Sequence, residues 1–330
     1  MLLRKAIPVL ALLLAACGTA NEPTTSSVPK PVSAAELARV TLKVGDQKGG
    51  SKALLTAAGQ LGDLPYKIEW ATFTSGPPLL EAVSAGGVDI GRVGNTPPIF
   101  AAAANAKIAA VSSSQGSVAG DAILVPPGSP LRSVKDLRGK SVGVAKGSSA
   151  HGQILLTLRR AGLSTRDVKL TFLQPADAFG AFNQREIDAW AVWDPYTSQA
   201  VLESDARVLD DGQGTANGYT FLVAGTTSLS DAGVNSAIHD YVLRHAKAER
   251  WSVTHQEEWA QAWAKETGLS VEVTRAATAS GPDAPVPLDD EVIGSEQELA
   301  DAFSEDGVLP GHVDFAKFVD RRYVNDLNKG

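Results

Sequence analysis

Val44-Gly45-Asp46-Gln47-Lys48-Gly49-Gly50-Ser51 and Val142-Gly143-Val144-Ala145-Lys146-Gly147-Ser148-Ser149 are two versions of one phrase, set 98 positions apart. Each leads from a short apolar run through lysine and glycine to serine, the pattern of a strand passing into a helix by a loop of small residues. The correspondence continues downstream. Pro77 answers to Pro175 and Thr96-Pro97 to Asp194-Pro195, again at 98, and Val88-Asp89-Ile90 to Ile187-Asp188-Ala189 at 99. An offset held over some fifty residues marks two similar α/β units in tandem.

Within the units, 40–44 and 141–144 read as strands, 51–61 and 149–161 as helices, and 66–72 and 168–173 as strands of β-branched or alternating residues. Helices with proline in the first turn follow at 77–85 and 175–182, where the missing N–H costs nothing. Buried strands at 88–93 and 187–193 and helices at 97–104 and 195–202 complete each unit. Strands alternating with helices predict a parallel sheet covered on both faces. Two crossings, 121–127 into the second unit and 217–223 back to the first, predict a hinge. Helices are expected at 229–251, 256–266, 271–277 and 290–306. Trp259 and Trp263, four apart, form with Trp251 a stripe that reads as core packing, the alternative being a ligand cage.

The first residues are an address. Arg4 and Lys5 precede an apolar run over 6–14, which ends at Leu14-Ala15-Ala16-Cys17-Gly18. A charged start, a short apolar core and small residues describe a signal peptide. Its end resembles a bacterial lipobox, which implies cleavage before Cys17 and lipid on that thiol. The next fifteen or so residues hold almost no large apolar side chain and suit a tether. The division expected is a signal peptide at 1–16, a tether at 17–36, a first lobe with C-terminal helices at 37–123 and 220–330, and a second lobe at 124–219.

Composition narrows the function. With 330 residues, 44% hydrophobic and 20% charged, most of the chain is globular and long enough for two domains. Thirty Lys and Arg against 37 Asp and Glu give −7, which excludes a basic field for nucleic acid. A single cysteine and no CxxC exclude zinc ribbons, iron–sulfur centres and internal disulfides. There is no GxSxG elbow or HExxH, and His239, His245, His255 and His312 form no ligand pair at helical spacing. Ser148, Ser149 and His151 lie too close in sequence to face one another on a helix as nucleophile and base. No enzyme, metal or cofactor is expected.

Parallel α/β units bind ligands at the carboxyl ends of their strands, where helix starts present unpaired N–H groups and a positive dipole end. Those starts carry Gly49, Gly50 and Ser51, then Ser75 and Gly76, Asn95 and Thr96, Ser148 and Ser149, and Asp194. Small polar residues there suit a permanent anion. Gly49, Gly50, Ser148 and Ser149 offer backbone N–H, and Gln47, Thr96, His151 and the serines offer side-chain donors. Trp193 offers a flat wall to an alkyl tail. Asp194 either caps its helix or meets a ligand amine.

Several of these stretches together carry a family likeness. Asp46-Gln47-Lys48-Gly49, Ser75-Gly76-Pro77, Gly94-Asn95-Thr96-Pro97-Pro98, Lys146-Gly147-Ser148-Ser149-Ala150-His151 and Trp193-Asp194-Pro195-Tyr196 resemble the substrate-binding proteins of bacterial aliphatic sulfonate ABC importers. The likeness runs over about 41–309. It implies a type II periplasmic binding protein fold, with two α/β lobes, a ligand cleft and a hinge between them. It implies a monomer that delivers an alkanesulfonate to ABC permease subunits. Taurine, nitrate or another small oxyanion is the alternative ligand, and a ligand-sensing lipoprotein the alternative role. The expected place is outside the cell, lipid-anchored to the cell membrane, or periplasmic where an outer membrane exists. Relatives often carry an aromatic where Asp46 stands and an acid where Asn95 stands.

Overall fold

The computed structural model describes residues 28–48 and 50–329. The signal peptide, Cys17 and Gly49 lie outside the described residues. In chain order, α1 (Ala34–Leu37) precedes β1 (Thr41–Gln47), α2 (Ser51–Ala57), β2 (Lys67–Phe73), α3 (Gly76–Ser84), β3 (Ile90–Gly94), α4 (Thr96–Ala103) and β4 (Ile108–Gln115). The chain then crosses into β5 (Ala122–Val125), β6 (Ser141–Val144), α5 (Ser149–Arg160), β7 (Lys169–Phe172), α6 (Pro175–Asn183), β8 (Ala189–Val192), α7 (Tyr196–Ser204) and β9 (Arg207–Asp211). It returns through β10 (Tyr219–Gly225) and ends in α8 (Thr226–Ser230), α9 (Ala232–Ser252), α10 (Gln256–Thr267), α11 (Val271–Ala279), β11 (Ala284–Val286), α12 (Asp290–Glu305) and α13 (Val324–Leu327).

The repeat is visible in the topology. β1 pairs in parallel with β2 and β3, and β6 pairs in parallel with β7 and β8. The wholly parallel sheets expected from the alternation do not form. The first sheet runs β11-β4-β10-β3-β1-β2 and the second β7-β6-β8-β5-β9. Each receives its crossing strand antiparallel: β10 lies against both β3 and β4, and β5 against both β8 and β9. The physical reason is that a strand arriving from the other sheet has no crossover helix to turn it around. β4, β9 and β11 were not foreseen. β4 reads Ile-Ala-Ala-Val-Ser-Ser-Ser-Gln, a composition poor in strand formers, yet seven of its eight residues are buried.

Each sheet has its own core. Leu42, Val44, Ile90 and Val111 pack under α9 in the first, and Val142, Val144 and Ile123 under Ile154 and Leu158 of α5 in the second. Residues 116–121 and 212–218 join the sheets. The helical pair α10–α11 spans both: α10 packs on α2, and α11 on α7.

Candidate functional site

The carboxyl ends of the parallel strands from both sheets open on one cleft of about 220 Å³. It is lined by Gln47, Gly50, Gly76, Asn95, Ser148, Ser149, Trp193 and Asp194 among the residues singled out from sequence. Ser75, Thr96 and His151 do not line it; all three are fully buried.

The helix starts that sequence treated as equivalent are not. At α2, the Asp46 carboxylate accepts the N–H of Gln47 (3.0 Å), Ser51 (2.8 Å) and Lys52 (3.0 Å). The Gly50 N–H goes to the Gln47 carbonyl at 3.1 Å. A protein carboxylate therefore fills the place expected for a ligand anion, and Gly50 does not donate as expected. Burial holds the Asp46 carboxyl above its ordinary range, against the three N–H bonds that pull it down. At α3 and α4, Pro77-Pro78 and Pro97-Pro98 remove two donors each, leaving Gly76 and Thr96. At α7, the Tyr196 and Thr197 N–H groups bond the Trp193 carbonyl and that of Ser198 bonds Asp194 at 2.9 Å. Asp194 is thus a cap.

The start of α5 remains open. Gly147, at φ +75°, turns the chain so that Ser148 spends both its N–H (3.1 Å) and its hydroxyl (2.7 Å) on the Ala145 carbonyl. Both donors of Ser148 are therefore spent inside the protein, although the residue lines the cleft. The next residue, Ser149, has no partner for its N–H or hydroxyl among the described residues, and it faces the cleft opposite Gly94. Twelve residues of aligned helix stand behind it.

His151 serves that start from behind. Its Nδ1 accepts the Gly147 N–H at 3.1 Å, and its ring lies among Phe100, Phe172 and Phe303 with centroids 5.2–5.6 Å away. Burial, with the Lys146 charge adding to it, pushes the imidazole down to about 4, so it is neutral. The expectation that it donates to ligand is corrected: its one bonded nitrogen is an acceptor, turned to the loop.

Other expected donors are likewise spent inside the protein. Gln47 Nε2 donates to the Arg92 carbonyl (2.9 Å) and Thr96 Oγ1 to Asn95 Oδ1 (2.9 Å). Asn95 Nδ2 donates to Asn217 Oδ1 (2.8 Å), which ties the cleft to the returning crossing. Ser75 Oγ and Thr74 Oγ1 both donate to Gln174 Oε1 at 2.9 Å, a contact between the two sheets' loops.

Sequence reading passed over Arg92, Asp121, Glu249 and Asp283, all of which line the cleft. Arg92 was hidden inside a strand; it bonds Asp283, donates to Thr220 Oγ1 (3.0 Å) and stands 3.6 Å from Glu249. Burial would raise Glu249, but His245, Arg92 and the Ser114 hydroxyl outweigh it and hold the carboxylate below its usual range. Arg92 thus brings little net charge. Lys48 lies 5.0 Å over the Tyr196 ring. Trp259 and Trp263, assigned to packing, do pack on Ala53 and Ala277 and also line the cleft.

The frame is reproduced in known proteins. The model of the NMT1-like family matches residues 58–265. An Escherichia coli (strain K12) protein, by name an aliphatic sulfonates-binding protein, is 36% identical over 285 residues, 85% of this chain and 89% of its own. The chain belongs to the NMT1-like family. Two solved relatives share the family's architecture. One is the alkanesulfonate-binding protein SsuA from Xanthomonas axonopodis pv. citri bound to MOPS, with TM-score 0.78 and 34% identity over 85% of this chain and 98% of that one. The other is the periplasmic aliphatic sulphonate binding protein SsuA from Escherichia coli, with TM-score 0.74 and 35% identity over 88% and 99%. The periplasmic binding protein fold is therefore established for this NMT1-like chain.

Proposed function

We propose that the protein captures an aliphatic sulfonate in the cleft between its two sheets and delivers it to the permease of an ABC importer. The observation that carries this reading is the start of α5. Among the described residues of the helix starts singled out from sequence, those of α5 alone keep a side-chain hydroxyl and a backbone N–H unspent at the cleft wall. A sulfonate stays ionised at every physiological pH and needs donors rather than a base, which is what Ser149 and the α5 dipole offer. Trp193, Trp259 and Trp263 supply apolar surface for a tail. The solved relatives, named for alkanesulfonates, support the same ligand class.

The sheets act as two lobes that close by flexing residues 116–121 and 212–218. Capture and release fit the cleft better than turnover does. The imidazole of His151 is buried and does not line it, and the carboxylates Asp46 and Asp194 are committed to N–H groups. Lipid on Cys17 holds the mature protein at the outer face of the membrane. A thermal-shift screen tests the ligand class. Alkanesulfonates are expected to raise the melting temperature in a concentration-dependent way, beyond nitrate and sulfate. A shift by nitrate or sulfate alone contradicts the reading.

A further inference from the structure

We propose that Asp283 sets a preference of the cleft for singly charged anions, by holding Arg92 away from the ligand. This rests on the sulfonate reading above and names the residue that keeps doubly charged oxyanions out.

Arg92 stands where it could meet the anion. Gly94 faces the start of α5 so closely that a Cβ on it would lie 3.0 Å from the Ser149 Cβ. Arg92, two residues earlier on β3, shares that face of the strand, since side chains alternate along it. Two residues of strand span only about 6–7 Å, within the reach of an arginine side chain. A free guanidinium here would be a stronger oxyanion partner than any neutral donor, because it offers two parallel N–H bonds together with charge.

The guanidinium is instead turned onto the protein. Its Nη2 bonds the Asp283 carboxylate and donates to the Thr220 hydroxyl (3.0 Å), which donates in turn to Asp283 (3.2 Å). Its Nε stands 3.6 Å from Glu249. Glu249 is itself fixed from behind by the Ser114 hydroxyl (2.7 Å) and by His245 Nδ1 (3.4 Å). Asp283 comes from the loop between α11 and β11 and lies against Gly116, where any Cβ would collide with its carboxylate. Asp283 touches Arg92 rather than the ligand site at Ser149, so it is a positioning residue.

The consequence is a matter of charge. Among the described residues, the cleft wall carries Arg92 and Lys48 against Asp121, Asp194, Glu249 and Asp283. Lys48 lies 5.0 Å over the Tyr196 ring, and two carboxylates hold the one guanidinium. The donors left at Ser149 are neutral, backed only by the partial charge of a helix end. They suit one negative charge. A second charge on the ligand meets the carboxylates with nothing to offset them. Sulfate brings that second charge; a sulfonate has carbon in its place.

Calorimetric titration of the whole mature protein with butanesulfonate at neutral pH, with sulfate measured by displacement, tests this. Asp283→Asn is expected to tighten sulfate relative to butanesulfonate by at least about tenfold, the worth of one hydrogen bond to a charged group. Glu249→Gln loosens the same guanidinium from its other side and should move the ratio the same way. Removing a carboxylate favours a dianion by field alone, so Asp283→Asn is also made on an Arg92→Gln background. There is no guanidinium to release there, and the ratio should stay near that of Arg92→Gln. An unchanged ratio in Asp283→Asn, or an equal gain on the Arg92→Gln background, overturns the inference and leaves the sulfonate reading standing. Failure of the wild type to bind butanesulfonate overturns both.

Discussion

Ser149 and His151 stand two residues apart on the first turn of α5 and face opposite ways. One lines the cleft; the other is sealed beneath the loop, where its Nδ1 accepts the Gly147 N–H. The sequence pattern Gly-Ser-Ser-Ala-His shows both as polar residues at a helix start and does not tell them apart. The difference comes from Phe100, Phe172 and Phe303, which meet the ring from three distant parts of the chain. That burial has a consequence for acid stability. The imidazole sits at about 4 when folded, below its ordinary value of 6.5. The folded state thus binds this proton less readily than the unfolded chain. The stability it contributes is present above 6.5 and is lost as pH falls towards 4. Thermal melts at pH 7 and pH 5 check this: the wild type should lose more of its melting temperature between them than His151→Gln does. Equal losses contradict the assignment.

At the scale of elements, the repeat was legible because it lies in local signals. Glycine loops, proline-opened helices and short apolar strands recur at a fixed spacing, and the helices and strands they mark form within a few residues of the expected bounds. What was not legible depends on partners far away. β4 forms from alanines and serines because β10 and β11 hold it on either side. The antiparallel crossing strands follow from the two-sheet arrangement, which no local pattern encodes. The same limit applies to the site. Helix starts at α2, α3, α4, α5 and α7 look alike as sequence, each with small or capping residues. Only their bonding separates them: Asp46 closes α2, double prolines strip α3 and α4, Asp194 caps α7, and α5 stays open. Asp46 and the prolines were in view from the start, so this much could have been argued from sequence alone. Arg92 and its carboxylates could not, since Glu249 and Asp283 reach it from elements more than 150 residues away.

For the molecule as a whole, the joint between the sheets centres on Asn217. Its side chain accepts from Asn95 (2.8 Å) and donates to Ser295 (3.0 Å) and Glu296 (2.8 Å), while its carbonyl accepts from Gln115 (2.9 Å). The returning crossing, the end of β4, the cleft and α12 therefore meet at one residue. Glu296 is fully buried there, and burial pushes its carboxyl up to about 8, opposed by the Asn217 bond. It is a neutral acid at pH 7. A raised carboxyl contributes stability that is full below its unfolded value of 4.5 and is lost as pH rises through 8. Melting temperatures between pH 5 and 8 should decline in the wild type and decline less in Glu296→Gln, which keeps the hydrogen-bond shape without the titration. A steeper decline in the variant contradicts this account of the joint. The central claim, that a cleft shared by both sheets holds a sulfonate on the open start of α5, is tested most directly at Ser149. Butanesulfonate affinity and ligand-free melting temperature are to be measured for the wild type and Ser149→Ala. A lost hydrogen bond to a charged group costs about 1.5–3 kcal/mol, roughly tenfold to over a hundredfold in affinity. The account predicts a fall of that size with a melt that barely moves, because the Ser149 hydroxyl has no partner among the described residues. An unchanged affinity in the folded variant would contradict it.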